Sequence, residues 1–125
     1  MLKRWFLLGL PFLFLVGCTS TKITNMTPLT APRSADGLYT VEARWDSNQR
    51  SIRKDSFTPF VVVGTEFIPM DRVPLTTNRW ETVVPVPAKQ RFLTYRFKFD
   101  YEYDGIPSRG KDSRLSPSHQ LEILD

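Results

Sequence analysis

Three carboxylates follow one another at alternate positions near the C-terminal part of the chain. Asp100, Glu102 and Asp104 would share one face of a strand, where grouped carboxylates can hold a cation or act as acid and base. Arg96 and Lys98 fall on the same face, so a solvated surface of mixed charge is the alternative, and we favour it. The Asp-x-Asp-x-Asp-Gly spacing of a calcium-binding loop does not occur, and we predict no metal site.

The single histidine, His119, follows Ser116 and Ser118. Nucleophilic catalysis by serine needs a histidine base, an orienting acid and donors for the oxyanion in a fixed arrangement. A Ser-x-x-His run supplies neither the donors nor the geometry, and a zinc site would need several nitrogen or sulfur ligands. We therefore predict no catalytic residue and no enzymatic activity, with His119 in a loop or at a strand edge.

Two sets of residues are candidate ligand contacts. Trp80, if exposed, would stack on a sugar ring or a partner, whereas core packing is the alternative. Arg109, Lys111 and Arg114 are interspersed with Ser and Asp112, and they could bind the phosphates of anionic lipid or lipopolysaccharide. Plain solvation is the alternative for these three cations.

The N-terminus has the composition of an export signal. Lys3 and Arg4 precede an uncharged, mostly apolar run from Trp5 to Gly17. As a helix this run would span about 20 Å, less than the roughly 30 Å of a bilayer core, and Pro11 would interrupt it. A basic start, a short apolar core and a small residue at the boundary are typical of a signal peptide, not of a membrane span.

The boundary Leu15-Val16-Gly17-Cys18 resembles the lipobox of bacterial lipoproteins at all four positions. The resemblance covers residues 1–18, and it implies that the Cys18 thiol receives a diacylglyceryl group. It also implies that a lipoprotein signal peptidase cleaves between Gly17 and Cys18 and that the new amine is acylated. Each buried methylene adds about 0.8 kcal/mol, so two or three acyl chains would anchor the protein firmly. The alternative is an ordinary secretory signal followed by a chance cysteine.

The residue after the lipobox bears on the destination. In Gram-negative lipoproteins an aspartate at this position commonly signals retention in the inner membrane. Thr19 stands there instead, and the resemblance therefore implies an outer-membrane protein that faces the periplasm.

Charge and cysteine content narrow the classes of partner. The formal net charge of +4 includes Lys3 and Arg4, which cleavage would remove, and the remaining excess is spread along the chain. Nucleic-acid binding therefore has little support. With one cysteine in the sequence, no intramolecular disulfide can form.

Residues 18–36 are predicted to form a lipidated cysteine and a flexible tether. Thr, Ser, Asn and Pro dominate the stretch and no apolar periodicity is present. As a coil it would span roughly 20–25 Å and lift the domain clear of the headgroups. An edge strand from Ile23 to Leu29 is the alternative.

From residue 37 to residue 125 the pattern predicts an all-β domain. Strict alternation places one face of a strand at Tyr39, Val41, Ala43 and Trp45, and that of a second, unusually long strand at Leu93, Tyr95, Phe97, Phe99, Tyr101 and Tyr103. We expect the long strand to bend or break near its middle. Residues 46–56 and 106–118 are predicted loops. No helical period follows residue 17, and we predict an immunoglobulin-like antiparallel β-sandwich of about six or seven strands.

The C-terminal part also resembles the immunoglobulin-like carbohydrate-binding modules attached to starch- and glycogen-acting enzymes. The run Tyr95-Arg96-Phe97-Lys98-Phe99, an acidic turn and the closing strand Leu121–Leu124 carry this resemblance. It implies a sandwich fold and a glycan as a candidate ligand.

These features predict a small envelope lipoprotein anchored to the membrane by the lipid on Cys18. The domain would act as a non-catalytic binding or accessory module that contacts another envelope protein, without a cofactor beyond the covalent lipid. A carbohydrate-binding lipoprotein is the alternative function.

Overall fold

The computed structural model describes residues 20–106 and 108–125, and the predicted signal peptide with Gly17 and Cys18 lies outside them. Ten strands cover these residues: β1 Thr21–Asn25, β2 Thr30–Pro32, β3 Leu38–Ser47, β4 Thr58–Val63, β5 Glu66–Pro69, β6 Asp71–Arg72, β7 Arg79–Pro85, β8 Phe92–Tyr103, β9 Gly110–Leu115 and β10 His119–Leu124.

Two sheets form the sandwich. One sheet has the order β1-β3-β7-β6, and the other has the order β2-β10-β8-β4-β5 with β9 paired to β8. No helix occurs in the described part of the chain, and the predicted all-β sandwich is confirmed. Strands outnumber the predicted six or seven because several short ones extend the sheet edges, and β2 pairs with β10 in parallel.

Period-two alternation forms the two central strands as predicted. Val41, Ala43 and Trp45 on β3 are buried, as are the inward residues of β8 from Leu93 to Tyr101. β8 is one continuous strand, so a break near its middle does not occur. Both of its edges are paired, with β4 on one edge and with β9 and β10 on the other, so its backbone groups are satisfied without a break.

The interruption lies instead between the two strands that pair with one edge of β8. β9 and β10 follow one another along β8, and their register shifts by one residue across 116–118. The Phe97 amide donates to Ser116 Oγ at 2.8 Å, and the Ser116 amide donates to the Phe97 carbonyl at 2.8 Å. The predicted loop over 106–118 therefore contains a strand, because pairing with β8 outweighs its polar composition.

The tether prediction is wrong for the described residues. β1 pairs with β3 along its whole length, and β2 pairs with β10, so that the sandwich begins at Thr21 and not at residue 37. Ile23 and Ala31 pack against the core. Thr27 is buried, and its hydroxyl accepts the Glu42 amide at 3.0 Å. β-branched threonines suit half-buried edge strands, which need no long apolar run.

The core is aromatic at one end of the sandwich. The ring centroids of neighbouring side chains there lie 5.1 to 6.3 Å apart, in mostly tilted and edge-on arrangements. The cluster consists of Trp45, Phe57, Trp80, Phe99 and Tyr101. Toward the opposite end aliphatic side chains join the core, with Val84, Leu93, Leu121 and Ile123 fully buried beside Tyr39 and Tyr95.

Candidate functional site

Four segments meet at the aromatic end of the sandwich. β3 ends opposite Thr21, β7 begins at Arg79 beside Arg44, and β8 ends at Tyr103 opposite Gly110. We call this the Ser20 end: it comprises Ser20, Arg72 at the end of β6, and the described residues of the loops 48–57, 73–78 and 104–109. The opposite end, where β10 finishes, is the Asp125 end.

The first described residue is fixed in place. The Ser20 amide donates to Asn48 Oδ1 at 2.7 Å, and the Asn48 amide donates to the Ser20 carbonyl at 3.1 Å. The hydroxyls of Thr21 and Ser47 lie 2.9 Å apart. The start of the sandwich is therefore joined to the 48–57 loop.

That loop is in turn joined to the end of β8. Ile52 forms a bridge with Tyr103, the Arg53 amide donates to the Glu102 carbonyl at 2.9 Å, and the Ser56 hydroxyl accepts the Glu102 amide at 2.9 Å. Although residues 48–57 are mostly polar, these bonds hold the loop against the sheet.

A cleft of about 690 Å³ opens between the loops of the Ser20 end. Its apolar floor is formed by Ile52, Phe57 and the edges of the two buried tryptophans. Its rim is polar: Asp46, Ser47, Asn48, Gln49, Arg50, Lys54, Arg72, Thr77 and Asn78.

The rim carries an excess of positive charge. Asp46 accepts a hydrogen bond from Arg44 at 2.9 Å, so that this acid is already neutralised. Among the ion pairs of the described residues none involves Arg50, Lys54 or Arg72. The Arg72 guanidinium lies 5.2 Å from the Trp80 ring centroid and covers it from outside. The cleft is thus suited to an anionic group.

Two apolar side chains project from loops of the same end. Leu75 in the 73–78 loop and Ile106 in the 104–109 loop are fully exposed, with relative exposures of 107% and 101%. Leu75 also adopts φ of 65°, a conformation that costs a side-chain-bearing residue energy. Neither residue contributes to the core.

Trp80 is not the exposed platform that the sequence left open. It is 4% exposed and packs on Phe57 and Phe99, with centroid distances of 5.4 and 5.3 Å. Its place among the buried residues of β7 corrects its candidacy as a sugar contact. The alternation around Trp80 was ambiguous because Val83 on the same strand is half-exposed.

The predicted cationic trio does not form one patch. Lys111 and Arg114 lie on β9, whose alternation sends them to opposite faces of the sheet. Arg109 is exposed and precedes β9 in the 104–109 loop, so it belongs to the Ser20 end. Only Arg109 therefore lies with the cations of that end.

The acidic row forms a mixed-charge surface. Asp100 accepts hydrogen bonds from Lys98 Nζ at 2.8 Å and Ser113 Oγ at 2.7 Å. Partial burial alone would raise the pKa of Asp100, but these two hydrogen bonds and the Lys98 charge outweigh it and lower that pKa below its usual value. A shallow polar groove of about 620 Å³ also contains Glu102 and Lys111.

His119 begins β10 and lies near two aromatic rings. Its ring centroid is 5.9 Å from that of Tyr95 and 5.8 Å from that of Phe97, and burial lowers the pKa of His119. The Nε2 atom is buried and has no partner among the described residues. The Ser116 hydroxyl donates to the Pro117 carbonyl and accepts the Phe97 amide, so it is engaged by the backbone.

The described residues hold neither a group of metal ligands nor a membrane-spanning helix. No group of three or more His, Cys, Asp or Glu side chains within residues 20–106 and 108–125 is placed to bind a metal ion. The same ranges hold no helix long and apolar enough to cross a membrane.

Sequence reasoning missed most of the Ser20 end. Arg50, Arg53 and Lys54 do form a basic run in the sequence, and this was the available signal. Leu75 and Ile106 carry no signal, because isolated apolar residues in loops are common. Their shared location depends on which loops the topology brings together.

Comparison with known proteins supports the fold and no function. No protein-family model matches the sequence, and no curated protein matches it. A crystal structure of a DUF4785 family protein from Legionella pneumophila is similar, with a TM-score of 0.53 and 9% identity over 88% of this chain. This chain corresponds to 30% of that protein's length. AggA, the major subunit of aggregative adherence fimbriae type I from Escherichia coli, also aligns, with a TM-score of 0.47, 9% identity and coverage of 88% of this chain and 98% of that one. The first of these likenesses shows the fold alone.

Proposed function

We propose that this chain is a lipid-anchored envelope lipoprotein whose β-sandwich is a non-catalytic binding or accessory module held close to the bilayer. The observation that carries the proposal is the lipobox Leu15-Val16-Gly17-Cys18 followed almost at once by β1 at Thr21. Because so few residues separate the lipobox from β1, a lipid on Cys18 would lie close to the folded domain.

The short spacing changes how the domain would be held. Two residues span at most about 7 Å, so the Cys18 Cα lies within that distance of the Ser20 Cα. Ser20 is itself hydrogen-bonded to Asn48. A lipid on Cys18 would therefore keep the sandwich against the headgroups, in place of the predicted lift of roughly 20–25 Å.

A protein partner is the proposed target of the remaining surface. The outer strands β1 and β6 of one sheet and β2 and β5 of the other present unpaired backbone groups on their free edges. On β5, Phe67 is 53% exposed and Glu66 is also exposed. An extended segment of another envelope protein could add to such an edge.

The alternative of a carbohydrate-binding lipoprotein loses its candidate platform. Both Trp45 and Trp80 are buried, with 6% and 4% exposure. A glycan would therefore have to bind without a tryptophan from the described residues. We retain envelope protein contact as the proposal, with Thr19 favouring an outer-membrane location that faces the periplasm.

Substitution of the anchor residue tests the proposal. We expect Cys18→Ala to abolish incorporation of a fatty-acid probe and to leave an uncleaved precursor, because the thiol that accepts the diacylglyceryl group is absent. Thr19→Ala is the matched control and should be labelled and cleaved like the parent. Labelling of Cys18→Ala, measured by in-gel detection and intact mass, would overturn the anchor assignment.

A further inference from the structure

We propose that the Ser20 end is a membrane-contact surface: Leu75 and Ile106 enter the headgroup region, while Arg50, Lys54, Arg72 and Arg109 bind the phosphates of anionic lipids. This inference rests on the proposed lipid anchor. It adds a fixed orientation and a second, non-covalent mode of contact with the bilayer.

The position of the anchor supports this orientation. Cys18 can lie no more than about 7 Å from Ser20, and Ser20 is hydrogen-bonded to Asn48 in the loop that forms the cleft rim. The acyl chains would therefore leave the molecule at the Ser20 end. With so short a connection, this end has to face the bilayer.

The two apolar tips fit that position. Leu75 and Ile106 come from loops attached to different sheets, since β6 and β7 belong to one and β8 and β9 to the other. Both are fully exposed, whereas the partly exposed Leu38, Phe92 and Leu124 at the Asp125 end reach 44%, 40% and 45%. Two apolar tips at one end of the sandwich can enter the interface together, and binding grows with the apolar area that they bury.

The charge of the same end complements an anionic headgroup. Arg50, Lys54 and Arg72 line the cleft. Arg109 belongs to the same 104–109 loop as Ile106. Some nearby acids are compensated: Asp46 is paired with Arg44 at 2.9 Å and Asp55 with Arg53 at 3.7 Å. Asp104 in these loops and Asp71, next to Arg72 on β6, are exposed acids. Cations near an anionic surface gain favourable interaction with lipid phosphates.

A single-cysteine fluorescence experiment tests the orientation on the full, lipidated protein. Cys18 would be occupied by lipid, so Leu75→Cys, Ile106→Cys and Leu29→Cys each offer one thiol for an environment-sensitive dye. Leu29 is 77% exposed and precedes β2, away from the Ser20 end, which makes it the matched control. Each labelled protein is reconstituted into vesicles of phosphatidylethanolamine and phosphatidylglycerol, with and without brominated acyl chains.

We expect brominated lipids to quench the dye at positions 75 and 106 at least about two-fold more than at position 29. Equal quenching at all three positions in vesicle-bound protein would overturn the inference and leave the anchor intact. Protein that does not remain with the vesicles would overturn the anchor and the inference together. Dyes at 75 and 106 that respond only when envelope extract is added would assign this end to a protein partner and also overturn the inference.

Charge reversal tests the cationic part separately. We expect Arg50→Glu with Lys54→Glu to lower the differential quenching at position 75 by about two-fold or more in vesicles that contain phosphatidylglycerol. Lys89→Glu, an exposed change at the Asp125 end, is the control and should have no effect. An unchanged signal in the double variant, with an unaltered circular dichroism spectrum, would overturn the role of these cations.

Discussion

The two ends of the sandwich differ in how their connecting segments use polar and apolar side chains. At the Asp125 end the connecting segments are bonded to one another: the Arg33 amide donates to the Leu124 carbonyl at 2.8 Å and the Val86 amide to the Gly37 carbonyl at 2.9 Å. The Arg33 guanidinium adds a bond to the Ala88 carbonyl at 2.7 Å and an ion pair with Asp125. At this end, therefore, these polar groups form hydrogen bonds and an ion pair with one another.

The Ser20 end also bonds its loops together, but it leaves further side chains available. Its core closes with five aromatic rings, which bury a large area with few rotatable bonds. Beyond these rings, Leu75, Ile106 and several cations project into solvent. Because the aromatic side chains close the core at this end, the outer residues of its loops contribute little to folding and are free to make contacts.

The largest expected effect concerns the aromatic floor. Phe99 is fully buried and contacts the rings of both Trp45 and Trp80, at 5.1 and 5.3 Å. We expect Phe99→Ala to lower the free energy of unfolding by about 3–5 kcal/mol, and Ile123→Val at the Asp125 end to lower it by about 0.5–1.5 kcal/mol. Urea denaturation followed by circular dichroism measures both. A loss well below 3 kcal/mol for Phe99→Ala would show that the aromatic contacts do not stabilise the Ser20 end as expected.

The next effect lies between the two ends, where β9 gives way to β10. We expect Ser116→Ala to lower the free energy of unfolding by about 1–3 kcal/mol, because the Phe97 amide loses its buried acceptor. Ser118→Ala is the control, since Ser118 is exposed and lies in the same interruption. If both variants unfold at the same urea concentration, the Ser116 hydroxyl does not hold the two halves of this edge.

The smallest expected effect separates stability from membrane contact. Leu75 has φ of 65°, so Leu75→Gly should raise the free energy of unfolding by up to about 1 kcal/mol by relieving the steric cost of that conformation. Leu75→Ala keeps a side chain and should give no such gain. A Gly variant no more stable than the Ala variant would contradict the steric cost, and an Ala variant clearly less stable than the parent would show that Leu75 makes a stabilising contact.

Much of the fold could be predicted from alternation, and little of the Ser20 end could be. Tyr39 to Trp45 and Leu93 to Tyr101 obey period two because one face of each strand enters the core. β9 was missed because Lys111 and Asp112 lie on a strand whose side chains are largely exposed, and pairing with β8 decides its conformation. β1 was anticipated only through the alternative of an edge strand from Ile23 to Leu29, since threonine-rich edge strands resemble linkers in composition.

The positions of the candidate residues also depended on tertiary structure more than on local sequence. Lys111 and Arg114 looked like one cluster in the sequence, but strand geometry separates them. Arg50, Arg72 and Arg109 are remote in the sequence and lie at the same end of the sandwich because the topology brings two loops and the end of β6 there. Trp80 is buried because it faces Phe99 across the core, a contact between residues of different sheets.

The sequence by itself determined the lipobox pattern at Leu15–Cys18, the all-β class and the inward faces of the central strands, because each depends on local spacing. Only the tertiary structure decided that the chain enters the sandwich at Thr21, that Trp80 is covered, and that Leu75 and Ile106 project from the same end. These outcomes depend on contacts between distant segments, whose energies are set by pairing and burial and not by neighbouring residues.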